Sequence, residues 1–132
     1  MNMVRGYIFS RPFMGERVPQ HVQNLVIRDY CERNSLQFLL SATEYAMPCC
    51  HLILEQVLSE LPGISGLVAY SLFQLPEDSA QRKVIYEQTL NQKKVLHFAV
   101  EGLHASTQLE CERIEALWRI RLTLPHCAQI YA

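Results

Sequence analysis

Between a strand-like run and the first helical pattern stands the loop Ser10-Arg11-Pro12-Phe13-Met14-Gly15-Glu16-Arg17. Arg11 and Arg17 can each grip a phosphate or carboxylate through paired hydrogen bonds, and the free amides and positive dipole end of a following helix reinforce such a grip. Glu16 adds a polar contact beside them. Simple solvation of arginines in an exposed loop is the other reading. Ser10 becomes a nucleophile only with a base in reach, and no G-x-S-x-G elbow surrounds it, so a hydrogen-bonding role in its own loop is equally open. A second strand-like run ends in Ser41-Ala42-Thr43-Glu44-Tyr45. There a carboxylate and a phenol stand as general base and acid if burial tunes one of them; otherwise they are cap or rim residues. Tyr70 and Ser71 close a third run and offer further contacts to a bound ligand.

Other reactive residues form weaker patterns. Cys49-Cys50-His51 reads as the start of a helix, where adjacent cysteines diverge and cannot clamp a metal with the neighbouring histidine. Cys50 belongs to a core face on that reading, and Cys49 is a thiol that a helix N-terminus would acidify. The five cysteines show no C-x-x-C pair and read as reduced thiols. His97 sits within an apolar run and reads as a satisfied interior histidine. The glycines form neither G-x-G-x-x-G nor G-x-x-x-x-G-K-[ST], so dinucleotide binding and P-loop chemistry lack support. No metal and no cofactor is expected.

The elements that must position these residues follow from periodicity. Residues 4–10 are strand-like. Val18, Val22, Leu25, Val26 and Tyr30 recur at helical spacing with Pro19 in the first turn, and 36–42 gives the next strand. A helix from Pro48 places Cys50, Ile53, Leu54, Val57, Leu58 and Leu61 on one stripe, and Pro62-Gly63 ends it. The run ISGLVAYSLF predicts a central parallel strand buried on both faces. A helix over 77–91 uses Val84, Ile85 and Leu90, KKVLHFAVE gives a fourth strand, and 108–122 carries Leu109, Ile114, Leu117, Trp118 and Leu122 before a short apolar tail. Alternating strands and helices predict one α/β domain over 1–132: a small doubly wound, mainly parallel sheet of four or five strands with helices on both faces. Ligands in such folds bind beyond the carboxyl ends of the strands, where all these polar loops fall.

With 132 residues, 49% of them apolar, the chain can bury a core without disulfides. Its net charge of −1 offers no field for polyanions, so nucleic acid is not expected as a partner. No run approaches the ~20 apolar residues of a membrane span and no signal peptide opens the chain, so a cytoplasmic location without membrane insertion is expected.

Two resemblances sharpen this reading. QNLVIRDYCERNSLQ, GLVAYSLFQL and VLHFAVEGLHAST, in that order, resemble the catalytic domain of serine recombinases of the resolvase and invertase group, which implies a resolvase-like sheet. Its chemistry does not carry over. Where that family has an arginine, Phe9 stands; Ser10 lies one position early, with Arg11 in the nucleophile's place; the family's later arginine pair falls on Gln74 and Glu77. A phosphoseryl transition state would lack its electrostatic support, so no working recombinase is expected.

The second resemblance covers nearly the whole chain. GYIFSRPFMGERVPQHVQNLVIRDYC, LLSATEYAM and AYSLFQLPED are similar to the short sporadic carbohydrate cluster family, small bacterial proteins encoded among genes for surface sugars. It implies a place in surface polysaccharide or lipopolysaccharide synthesis and leaves the reaction open. The expected ligand is a sugar phosphate or nucleotide sugar, with Arg11 and Arg17 on the anion and Ser10, Glu16, Ser41, Thr43, Glu44, Tyr45, Tyr70 and Ser71 around the sugar. Proton transfer, as in an isomerase or epimerase, is the reaction these groups favour. The alternative is a non-catalytic interaction module that pairs with itself or a pathway enzyme through the C-terminal helix and Ala128-Gln129-Ile130-Tyr131.

Overall fold

A computed structural model describes the backbone of residues 2–131 and the side-chain surroundings of residues 2–123. The elements run β1 (Met3–Phe9), α1 (Gln20–Arg33), β2 (Gln37–Glu44), α2 (Leu52–Ser59), β3 (Gly66–Ala69), α3 (Ser79–Asn91), β4 (Val95–Phe98), β5 (Leu103–Ala105) and α4 (Gln108–Tyr131). The strands form one sheet in the order β2-β1-β3-β4-β5, with β1 to β4 parallel and β5 antiparallel to β4. This is the small, mainly parallel α/β sheet that the alternating pattern predicts. The strand order reverses between β1 and β3, so the loops that follow them diverge and leave a crevice at the carboxyl edge.

Side-chain alternation along β1 feeds both faces. Val4 and Ile8 pack with Ile27, Tyr30, Cys31 and Val68 beneath α1. Tyr7 and Phe9 join the larger core made by α2, α3 and α4, where Leu54, Leu58, Ile85, Ile114 and Trp118 meet. All four residues of β3 are buried, as a central parallel strand requires. His97 is the interior histidine expected of it. Its Nδ1 meets the Tyr30 hydroxyl at 2.8 Å, and burial followed by the neighbouring His104 brings its pKa down to about 4.

Several boundaries differ from the periodic reading, each for a physical reason. Pro19 is the N-cap of α1 rather than part of its first turn. The buried face of α1 is Gln23, Ile27, Tyr30 and Cys31, while Leu25 is 61% exposed; counting apolar residues misses a glutamine whose amide is fully bonded inside. Helix α2 starts only at Leu52, and Cys49 takes a left-handed φ of 61°, so the two cysteines precede the helix instead of riding on it. In α3, Asp78 caps the first turn and Val84 is 51% exposed, because Arg82 occupies the inward position. Strand β5 is three residues long, too short for periodicity to reveal. The apolar tail continues α4 to Tyr131; the dimer surface expected at Ala128-Gln129-Ile130-Tyr131 falls on side chains outside the described residues.

At Gly66 β4 runs too close for a side chain: a Cβ there would collide with the carbonyl oxygen of Val95. Backbone cannot yield as a side chain does. Gly66→Ala is expected to destabilise the fold by about 3 kcal/mol, read as a lower urea midpoint at unchanged slope, whereas an unchanged midpoint would contradict this packing.

Candidate functional site

The carboxyl edge is organised around Glu44, the last residue of β2, which is 1% exposed. Its Oε1 accepts from the Tyr7 hydroxyl at 2.8 Å and the Leu54 amide at 3.1 Å. Its Oε2 accepts from the amides of Tyr45 and Ile53, both at 3.1 Å, with the Cys50 thiol at 3.8 Å. Burial alone would push this carboxyl up; the Tyr7 hydroxyl and the three amides outweigh it and hold Glu44 below the ordinary carboxylate range. Tyr7 moves strongly upward through burial and its bond to Glu44, so it remains a donor. Glu44 therefore ties the start of α2 to β1 and β2. Its acceptor positions are filled, and the general-base role is not carried forward.

Glu44 and Tyr45 place their neighbours through the main chain. The Ser10 hydroxyl donates to the Glu44 carbonyl at 2.8 Å, the hydrogen-bonding role left open by the sequence. Arg11 Nη1 donates to the Tyr45 carbonyl at 2.8 Å, and its guanidinium lies 4.2 Å from the centre of the Phe9 ring. The Tyr45 side chain itself is exposed.

Two buried amides fasten the other side of the edge. Gln23 on α1 accepts from the Phe9 amide and donates to the carbonyls of Phe9 and Val18. Gln74 donates to Gln23 Oε1 at 2.9 Å, so β1, α1 and the loop after β3 are joined at the reversal of strand order. Beyond Arg11 the chain folds into a tight hairpin, with paired bonds of 2.9 Å between Phe13 and Glu16 and positive φ at Met14 and Gly15. Phe13 packs edge-on against Phe9 and Tyr70, and Arg121 of α4 donates to the Met14 carbonyl at 3.1 Å.

These contacts divide the predicted site. A cleft of about 550 Å³ has Phe9, Phe13 and Phe73 among its walls, with Arg11 and His51 beside them and Gln81 and the exposed Glu77 and Asp78 toward its rim. His51 Nε2 is buried without a hydrogen-bond partner; burial and then the charge of Arg11 lower its pKa, so it is neutral at pH 7. A second cleft of about 230 Å³ is lined by Glu16, Tyr70, Ser71, Glu101 and Arg121, and Phe13, Met14 and Phe73 stand between the two. In that cleft Glu101 accepts from the Ser71 hydroxyl and the Leu72 amide, which fixes the loop after β3. Arg17 is exposed and lines neither cleft. Ser41 bonds Asn24 of α1, and strand alternation puts Thr43 on the same face, away from Glu44. The strand-end loops therefore do not converge on one pocket: Arg11 keeps a cleft position, Glu16, Tyr70 and Ser71 share another, and Ser41, Thr43 and Arg17 belong to neither. His51 and the two glutamines are the residues that sequence reasoning did not assign to the site. His51 carried a signal in its place just ahead of an amphipathic helix; Gln23 carried none.

Among the described residues no group of three or more His, Cys, Asp or Glu side chains could hold a metal ion, and no helix is long and apolar enough to cross a membrane. No family model and no curated protein matches the chain. Solved structures do. A resolvase family site-specific recombinase from Streptococcus pneumoniae superposes with a TM-score of 0.66 at 12% identity, covering 97% of this chain and 98% of that one. The N-terminal catalytic domain of TP901-1 integrase gives 0.59 at 12% identity, over 96% and 98%. The resolvase-like fold is thereby shown. The exclusion of nucleic acid as a partner, drawn from charge balance, is overturned by the same finding: both matched chains are named for a recombinase or an integrase, and net charge is no ground for ruling that partner class out of this fold.

Glu44→Gln presents an amide nitrogen to donors that now meet a carboxylate oxygen, and about 3 kcal/mol of stability should be lost. A carboxyl held low in the fold contributes its stability above the unfolded value, near 4.5, and loses it as pH falls further. The gap between wild type and variant is therefore expected to be constant from neutral pH to about 4.5 and to close below it in urea titrations; a gap that widens in acid would overturn the assignment.

Proposed function

We propose that the protein binds a sugar bearing an anionic group, such as a sugar phosphate or nucleotide-activated sugar, at the cleft beside Arg11. One observation carries the reading. Arg11 is fixed through Tyr45 yet has no carboxylate partner among the described ion pairs, and it stands over aromatic walls with polar groups toward the rim. Apolar walls with a few placed polar groups are the ordinary makeup of a small-molecule site. Aromatic faces suit the C–H face of a pyranose, and carboxylates and amides suit its hydroxyls. Neutral His51 adds an unpartnered ring nitrogen beside the same cleft. The place of this binding in surface polysaccharide or lipopolysaccharide synthesis is supported by the loop residues that resemble the sporadic carbohydrate cluster family.

The same geometry favours binding over catalysis. Proton transfer by Glu44 loses its base, and Ser10 is hydrogen-bonded to a carbonyl instead of a base. A non-catalytic module on a resolvase-like scaffold, presenting an activated sugar to a partner enzyme, is consistent with both facts.

Calorimetric titration with a panel of sugar phosphates and nucleotide sugars tests the proposal. Saturable binding is expected with at least one member, weakened about tenfold or more in Arg11→Ala and unaffected by Arg17→Ala. Equal affinities for Arg11→Ala and wild type would sink the assignment of the anion to this cleft.

A further inference from the structure

Arg11 is one of two fixed charged poles in its cleft. The loop after β1 carries it, tied down by the Tyr45 carbonyl at 2.8 Å and by the Phe9 ring. The loop ahead of α3 carries Glu77 and Asp78, the other charged residues that line the same cleft. Arg82 holds that loop through the carbonyls of Pro76 and Glu77, at 3.0 and 2.8 Å. Asp78 Oδ1 accepts from the Ala80 amide at 3.3 Å, which caps α3 and fixes this carboxylate at the helix start. Among the described residues neither carboxylate pairs with a cation, and Arg11 pairs with neither of them.

Charge then narrows the ligand. One arginine against two carboxylates leaves the lining with a net negative charge, since His51 is neutral at pH 7. A sugar phosphate without a cationic group adds further negative charge to that cleft and answers only Arg11. Its hydroxyls can donate to the carboxylates, yet both carboxylate charges stay uncompensated. An ammonium group donates as well and cancels one of them, and hydrogen bonds between ionised partners are stronger than neutral ones. What fits the lining is a ligand with a negative group for Arg11 and a positive one for the rim, joined by a ring that can lie on the aromatic walls.

We infer that the ligand is zwitterionic: a phosphorylated sugar bearing a free amine, with the phosphate on Arg11 and the ammonium at the rim formed by Glu77 and Asp78. This rests on the anionic-sugar reading of the cleft and names the substrate class within it. Two fixed, unpaired poles of opposite sign in one cleft are the observation that carries it. Glu77 and Asp78 thereby select amino sugars over their hydroxyl and N-acetyl counterparts.

Glucose and galactose 1-phosphates provide the test, titrated by calorimetry beside their amino-deoxy analogues at each hydroxyl-bearing carbon and the N-acetyl form of every analogue. At least one amino analogue is expected to bind about tenfold or more tighter than its parent, and N-acetylation to remove that gain. Glu77→Gln combined with Asp78→Asn is expected to abolish the gain and to tighten the parents slightly, because the repulsion goes while asparagine keeps the helix cap; circular dichroism verifies folding. Parents that bind as tightly as every amino analogue overturn the inference and leave the cleft reading standing. A gain that survives in the double variant, or that N-acetylation leaves in place, also overturns it. Binding of no member, parent or amine, overturns both readings. Amino-analogue binding insensitive to Arg11→Ala removes the phosphate from this cleft and likewise overturns both.

Discussion

A buried carboxylate holds the carboxyl edge of this domain in place. Taking a charge out of water costs several kcal/mol unless hydrogen bonds replace the lost hydration. Glu44 meets that condition with a phenol and three amides, two of them at the N-terminal turn of α2, where the helix dipole also favours negative charge. Much else depends on it. The start of α2 sets the position of His51, the turn at Tyr45 orients the carbonyl that holds Arg11, and the Glu44 carbonyl receives Ser10. The cleft is thus positioned by a buried group that is not among its lining residues.

The fold resembles that of recombinase catalytic domains. Where strand order reverses, two glutamines clasp the main chain of β1 and the loop after β3. A neutral amide pair of this kind fixes backbone without supplying charge. A shared fold carries a shape from one protein to another, while chemistry resides in the side chains grafted on it.

The layers were legible in the sequence because burial leaves an apolar record. GLVA is buried on both faces, and Tyr30, Leu54 and Leu58 pack as their helical spacing requires. What periodicity does not show is that polar residues do interior work. Gln23, Arg82 and Glu44 are buried because each finds partners distant in sequence, and no local pattern encodes partners 14, 33 or 37 positions away. The site suffered the same limitation. Whether loops that end on one edge share a pocket is not written in their spacing; the Phe13 hairpin partitions that edge, and its tight turn comes from backbone conformations at Met14 and Gly15 that periodicity does not register.

Arg82 carries a consequence for where the domain ends. Its guanidinium bonds the carbonyls of Pro76 and Glu77, pairs with Glu115 of α4 at 2.7 Å and lies 4.2 Å from the Trp118 ring centre. The loop that brings Glu77 and Asp78 to the cleft is therefore braced by the last helix. Cutting the chain after the sheet would strand a buried cation and loosen the rim together, so the smallest autonomous unit reaches past Trp118. The helix lines none of the Arg11 cleft, yet it braces the loop that forms the cleft's rim.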